Sequence, residues 1–476
     1  MATTSSVTSS SAGTLDVNSL VSQLMTIERR PIDKLNTQIS SSQTKISSLG
    51  TIKGLVSGFQ TTLRSLNDDL LGFSAAISDS SVVSASASST AVAGTYALEV
   101  TQLAQSQNLV AAGRASSSTA ISDGVATTVT FDFGTISGGA LNAGTYSGAT
   151  FTPNAGGSSS ITIDASNNTL QGISAAINAA KLGVTATIVN DGSGTPYRLA
   201  LTSNTTGVSN SLKITTSGGD GTINSLLGYD PAGTQNLNQT VVAQNANLKV
   251  NGIAISKTSN TVTDAIQGVT LSLNKLTTTP ATLTVTHDTT AVSKAVTGMV
   301  DAYNALQSQL KSRSAYGTAT SQAGALAGDG TVRLMLSQLR SVFNTAASGG
   351  TLTSLAQVGI TTQTDGTLKL DSNKLTSAMS NNFSDVTNLF SSATGYSTRL
   401  DAWSISALAP GGMIDTRTNS LNTTITSYNN KISQLESRMI TLQKLYTTQY
   451  SNLNMLLSNM NSTSAYLTQQ LSNSGA

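Results

Sequence analysis

Cysteine is absent from the 476 residues, so disulfides, thiolate nucleophiles and Cys-ligated zinc are excluded. A single histidine, His287, leaves little material for a transition-metal site. Charge is scarce too, at 10% of residues, and nearly balanced, with 25 basic against 23 acidic side chains. A nucleic-acid surface needs a clustered excess of Lys and Arg, and a polybasic membrane patch needs the same, so neither fits. No apolar run reaches the ~18 residues that a membrane-crossing helix requires. The opening MATTSSVTSSSAGTLDVNSL has neither the basic nor the apolar segment of a cleaved signal peptide. It reads either as the frayed tail of a cytosolic protein or as the leader of a chain exported without cleavage.

Ser, Thr, Asn and Gly are abundant, so solubility rests on hydroxyls and amides. Between Ala111 and Thr240 only ten of 130 residues are charged, a composition that suits extracellular β-rich surfaces. The length accommodates roughly three domains of ordinary size, enough to bury a core.

The two ends read as helices. Asp16 or Asn18 caps a stretch carrying Leu20, Leu24 and Ile27, which Pro31 is expected to interrupt, with a second helix starting there. Apolar positions continue at Ile32, Leu35, Ile39, Ile46 and Leu49, then after a three-residue step at Ile52, Val56, Phe59, Leu63, Leu66 and Leu70. This is a coiled-coil seam with one phase shift. At the other end Leu421, Ile425, Tyr428, Ile432, Leu435, Met439, Leu442 and Tyr446 step by four and three without a miss. A stutter leads to Tyr450, and the stripe continues through Leu453, Leu457, Met460, Leu467 and Leu471. Helical throughout, it would run roughly 75 Å. So narrow a stripe needs a partner, and the N-terminal seam is the obvious one. Shorter helical stripes lie at Val292–Leu310 and Val332–Phe343.

Between the ends the period drops to two. Tyr96, Leu98 and Val100 alternate, as do Leu248 and Val250 before Asn251-Gly252, and Ile253 and Ile255 after it. Val269, Leu271 and Leu273 form another strand, and Leu283 and Val285 a further one. The Asn-Gly pair, and Asp365-Gly366 between Ile360 and Leu368, mark hairpins. Short helices capped by Ser372 and Ser384 are expected to follow. Residues 161–201 read as strand, short helix (Leu170, Ile173, Ile177), strand, Asp-Gly turn, strand. The Gly/Ser/Thr segments from Ser116 to Ser160 and Thr215 to Gln239 read as loops of an outer domain.

Several features carry both a chemical and a structural reading. His287-Asp288 could belong to a triad, but no Gly-x-Ser-x-Gly elbow accompanies it and the histidine ends a strand. Asn190-Asp191-Gly192-Ser193-Gly194 resembles part of a calcium loop without its later Glu, which favours a plain turn. Glu28-Arg29-Arg30 is either a basic contact or a solvated helix end. Tyr428, Tyr446 and Tyr450 lie on the seam, where packing outweighs ligand stacking, and the sole tryptophan, Trp403, reads as a buried anchor. No metal or cofactor is expected, and no catalytic residue stands out.

LDVNSLVSQLMTIERRPIDKL, Leu15 to Leu35, resembles the N-terminal signature of the bacterial flagellar filament cap, the hook-associated protein 2 family. Thr95 to Gln107, TYALEVTQLAQSQ, is similar to that family's strand after the first helix. ITIDASNNTLQGISAAINAAKLGVTATIVNDGSGTPYRLALTSNTTG resembles the insert that cap proteins share with many flagellins. LKVNGIAI, DAIQGVTLSLNKL, TDGTLKLDSNKL and MNSTSAYLTQQL are similar to the family's C-terminal region. The resemblance covers most of the chain in order and fades in the outer loops.

The resemblance implies a non-enzymatic structural protein, secreted through the flagellar type III apparatus to the extracellular flagellum tip. There it would form a ring-shaped homo-oligomer that holds incoming flagellin in a chamber beneath a β-domain plate until it folds into the lattice. Partners implied are a second copy of itself, flagellin, hook–filament junction proteins and an export chaperone, with no nucleic acid and no membrane.

The expected fold class is multidomain α+β: long coiled-coil terminal helices and a mixed helical base, with antiparallel β-rich domains inserted mid-chain. The domains are placed at 1–45 (leader and N-terminal leg), 46–75 with 290–415 (base), 76–110 with 240–289 (β domain), 111–239 (outer β-rich domain) and 416–476 (C-terminal leg). Leg and interface residues are Leu20, Leu24, Ile27, Ile32, Leu35, Ile39, Leu421, Ile425, Tyr428, Ile432, Leu435, Met439, Leu442, Tyr446, Tyr450, Leu453, Leu457 and Met460. An alternative of another class is a surface adhesin binding host glycan or mucin through the outer domain, which deletion of 111–240 would discriminate. A glycan hydrolase would need paired carboxylates ~5–10 Å apart in a region poor in acids. Flagellins and junction proteins also pair terminal helices, but Glu28-Arg29-Arg30-Pro31 favours the cap.

Overall fold

The computed structural model describes residues 16–473, so the expected leader lies outside the described residues. Two compact units divide the chain, Met1–Leu70 with Thr289–Ala476 and Leu71–Asp288. The first opens with α1, Val17–Asp69, whose N-cap Asp16 accepts a hydrogen bond from the Ser19 amide at 3.0 Å. Pro31 does not break it. One helix runs through the proline, and residues 45 and 46, where a boundary was placed, are consecutive within it. The physical reason is local. Pro31 removes the amide that would bond the Ile27 carbonyl, but both residues are exposed, so water reaches that carbonyl. On the adjoining face Ile32 and Leu35 are buried and hold the helical path.

The inserted unit has two lobes. The inner lobe begins with β1 (Phe73–Ile77), β2 (Val83–Ala87) and β3 (Gly94–Gln102). The chain then builds the outer lobe from β4 (Asn108–Ala111), β5 (Thr127–Asn142), β6 (Thr145–Pro153), β7 (Ser159–Ile163), α2 (Leu170–Ala180), β8 (Val184–Asn190), β9 (Tyr197–Ser203), β10 (Ser211–Gly218), α3 (Thr222–Leu227) and β11 (Leu237–Val241). It returns to the inner lobe as β12 (Ala246–Val250), β13 (Ile253–Lys257), β14 (Thr261–Ile266), β15 (Val269–Leu273) and β16 (Ala281–His287). The inner sheets run β1-β16-β3-β12-β13 and β14-β15-β2, and the outer ones β10-β5-β6 with β7 on β5, and β11-β4-β9-β8. Every strand pair is antiparallel. Each lobe has its own apolar core, around Leu98, Leu248 and Leu271 inside and around Phe131, Ile173 and Leu201 outside.

Of the Gly/Ser/Thr segments expected to be loops, the first is largely strand, holding β5, β6 and the start of β7, while the second holds the end of β10, α3 and the start of β11. Only the first half of β5 buries one face, at Val129 and Phe131, while Thr135–Asn142 is largely exposed, so no hydrophobic alternation marks it. β-branched threonines and left-handed glycines such as Gly139 (φ 71°) carry the ladder instead.

The first unit resumes with α4 (Thr289–Ser314), α5 (Gly330–Asn344), the hairpin β17 (Ile360–Thr362) and β18 (Leu368–Leu370), α6 (Ser372–Ser391), α7 (Tyr396–Leu408) and α8 (Met413–Asn473). The caps of α6 differ from expectation. Asp371 caps its start, accepting from the Asn373 and Lys374 amides, and a kink at Asn382 (φ −156°) restarts it with the Asn382 side chain bonding the Asp385 amide. A carboxylate and a carboxamide displace the serines one or two residues on. The core of this unit runs from Leu49 to Leu66 on α1 and Leu70 just past its end to Leu310, Leu339, Leu389 and Leu400, with Tyr303 packed between Phe59 and Phe343. The whole is a multidomain α+β fold.

Carboxamides substitute for charge throughout. Among the described residues, four carboxamide side chains bond both the amide and the carbonyl of a single residue, as a neighbouring strand would. Asn178 grips Ala186 (2.8 and 2.8 Å), Gln235 grips Tyr146 (2.6 and 2.9 Å), Asn260 grips Ala104 (2.7 and 2.9 Å) and Asn304 grips Leu368 (2.7 and 2.8 Å).

Candidate assembly surface

α8 is rooted in the first unit by Ile414 and Leu421, both buried. Beside them Arg417 donates to Asp329 at 2.8 Å, and Asp329, whose side chain is 3% exposed, also caps α5 through the Thr331 amide at 2.9 Å. One carboxylate thus ties the base of α8 to the start of α5, with the cation satisfying a charge that burial would otherwise penalise. α1 is fastened to the same body through the Ser397 hydroxyl, which donates to the Leu63 carbonyl at 3.1 Å, and through Arg313, which donates to the Ser48 hydroxyl at 3.0 Å.

Beyond these roots α1 and α8 pack on each other. Their seam holds a groove of about 680 Å³ with Val21, Met25 and Ile32 on one helix and Met439 and Ile440 on the other, rimmed by Arg29, Glu436 and Gln443. The expected seam residues fall into three groups. Ile32, Leu35 and Leu421 are buried. Leu20, Leu24, Ile39, Ile425, Tyr428, Ile432, Leu435, Met439, Leu442, Tyr446, Tyr450 and Leu457 are half-buried. Ile27 (55% exposed), Leu453 (41%) and Met460 (60%) are open to solvent. A two-helix pair covers only one side of each stripe, which is why α8 buries nothing fully past Leu421.

The N-terminal seam has a different phase from the one its leucines suggested. Counting back from Ile32 by four and three gives Glu28, Met25 and Val21, and Val21 is buried at 5% exposure. Leu20, Leu24 and Ile27 form a separate stripe on an adjoining face. Glu28 hides the true seam because a charged residue occupies a core-type position. The unbroken spacing from Val21 to Ser42, buried at 7%, was the signal available.

The chemical readings resolve into packing. His287 stacks on Phe73 with ring centroids 4.5 Å apart, and burial pushes its imidazole below the ordinary value. The Asp191 carboxylate pairs with Arg198 and accepts the Ser193 amide, which holds it well below the usual carboxylate range in a plain turn. Trp403 is 8% exposed and donates to Gln338 at 2.9 Å. Among the described residues no group of three or more His, Asp or Glu is placed to hold a metal, and no helix is long and apolar enough to cross a membrane.

Family models for the flagellar hook-associated protein 2 C-terminus and N-terminus match residues 243–462 and 13–107, and the flagellin hook IN motif matches 150–205. The chain is similar to flagellar hook-associated protein 2 of Escherichia coli K12, 35% identical over 476 residues that cover 96% of each chain. It is also similar to the B-type flagellar hook-associated protein 2 of Pseudomonas aeruginosa PAO1, 32% identical over 479 residues and again 96% of each. Among solved structures, the D1-D2-D3 domains of the flagellar cap protein FliD from Escherichia coli align with a TM-score of 0.67 at 36% identity, covering 79% of this chain and 99% of that one.

Proposed function

The chain belongs to the flagellar hook-associated protein 2 family, and from that premise we propose that it is a secreted, ring-forming cap that holds exported flagellin at the filament tip until it folds into place. The observation that carries this reading is the leg. α1 and α8 pair over a narrow stripe, yet α8 leaves the apolar side chains of that stripe half-covered as far as Tyr450 and largely open from Leu453 onward. A surface of that kind is stabilised by contact with further helices, which a filament end of paired terminal helices supplies.

A cap that steps must hold by many weak contacts. Ser, Thr, Asn and Gln flank the apolar positions of α8, so each contact buries little area and repacks readily. No covalent chemistry is needed for that role. Other copies of the chain, flagellin and the hook–filament junction proteins are the partners this reading requires, and an export chaperone would cover the C-terminal leg before secretion. Gold-labelled antibody against the chain should mark filament tips, and deletion of the gene should release flagellin into the medium as monomer. Label spread along the filament shaft, or filaments of normal length in the deletion strain, would overturn the proposal.

A further inference from the structure

Two segments of chain cross between the inner and outer lobes of the second unit, residues 103–107 going out and 241–245 coming back. Two crossings alone make a hinge. Here the crossings are clamped to each other and to both lobes. Gln105 and Gln244 exchange backbone hydrogen bonds (2.9 and 3.2 Å), and the Gln244 side chain donates to the Leu103 carbonyl at 3.0 Å. Asn260 of the inner lobe takes both backbone groups of Ala104 just where β3 has ended and no strand remains to satisfy them.

A third contact involves no crossing strand. The outer-lobe loop after β9 lies against the inner-lobe turn after β13, where the Thr206 hydroxyl donates to the Thr258 carbonyl at 2.5 Å. Gly207, buried and at φ 100°, seats its backbone so close that an added Cβ would fall 2.6 Å from the Thr258 Cβ. Asn245 spans the two lobes beside it, accepting from the Val208 amide at 3.0 Å and donating to the Ser256 hydroxyl at 3.1 Å. A contact in addition to two crossings removes the rotation that the crossings permit.

We propose that this junction is a fixed joint, so that the two β lobes move as one body and the outer lobe does not swing. The joint stands on these contacts and not on the capping reading. It makes the outer lobe a lever whose displacement is passed whole to the inner sheet.

Because the chain has no cysteine, spin labels can be placed at two chosen sites only. Ala175→Cys on α2 and Thr263→Cys on β14, both exposed, report the distance between lobes in the full chain, with Thr263→Cys and Ala97→Cys as a pair inside one lobe. The expected interlobe distance distribution is as narrow as the control, and about twofold broader in Gly207→Val and in Asn245→Ala, since few contacts hold the joint. Asn245→Ala adds no bulk, so it decides the matter if Gly207→Val fails to fold. An interlobe distribution broader than the control in the parent chain, or one that neither variant broadens, would overturn the fixed joint.

Discussion

Val21→Asp and Ile27→Asp, six residues apart on α1, should have opposite consequences. Val21 is 5% exposed in the seam with α8, whereas Ile27 is 55% exposed. Burying a valine contributes about 1.5–3 kcal/mol, and an aspartate there forfeits that while adding a desolvated charge. The first turns of α1 are held by little else before Ile32, so the loss appears as local opening rather than global unfolding. At about 1.4 kcal/mol per tenfold, the open population of that segment should rise roughly ten- to a hundredfold. Limited trypsin digestion with mass spectrometry reads it directly, because Arg29 and Lys34 lie in the segment and are cut only when the helix opens. Ile27→Asp should leave those sites protected, with a stability change within about 0.5 kcal/mol, yet impair filament growth because its stripe faces outward. If Ile27→Asp opened the same sites, or if Val21→Asp did not, the assignment of the two faces would be wrong.

Ile432→Asp with Leu435→Asp should leave the second unit folded, as judged by its melting transition, while abolishing filament growth; normal growth would remove the leg from the mechanism. Asn304→Asp should lower the melting temperature of the first unit. It loses the donor to the Leu368 carbonyl and sets a carboxylate against it, about 2 kcal/mol or roughly 4–8 °C, and the penalty should shrink as acid protonates the new carboxyl. An unchanged melting point at pH 7 would show that the carboxamide grip contributes nothing.

The second unit should also be acid-labile. Asp79, Asp164 and Asp220 are held below the ordinary carboxylate value chiefly by the hydroxyls of Ser81, Ser166 and Thr222, Asp191 by Arg198 and Asp264 by Lys257. Groups with depressed folded values add stability above their unfolded value and lose it as pH falls. The melting temperature should therefore drop mainly below about pH 4, after a small decline below roughly pH 6.5 as the unfolded state protonates His287. A flat thermal profile down to pH 3 would contradict this.

Where the periodicity was long and unbroken, the sequence was readable. The eight positions from Leu421 to Tyr446 lie on one face of α8, and Asn251-Gly252 turns β12 into β13 with Asn251 at φ 52° and Gly252 at φ 84°. Local rules failed where tertiary contacts outweighed them. Pro31 stays helical because Ile32 and Leu35, on the adjoining face, are buried. Glu28 disguised the phase that begins at Val21. β5 was obscured because its exposed half has no buried side to alternate with. The carboxamide grips were invisible, since each joins residues 8 to 156 positions apart and an asparagine in sequence carries no mark of the backbone it will hold.

The most direct test of the capping role is to add the purified full chain to cells that lack its gene and are shedding flagellin. Filaments should grow from the existing hooks as the shed monomer disappears from the medium, and Ile432→Asp with Leu435→Asp should fail in the same assay. If the added protein leaves flagellin in the medium and the hooks bare, the chain does not act as a cap.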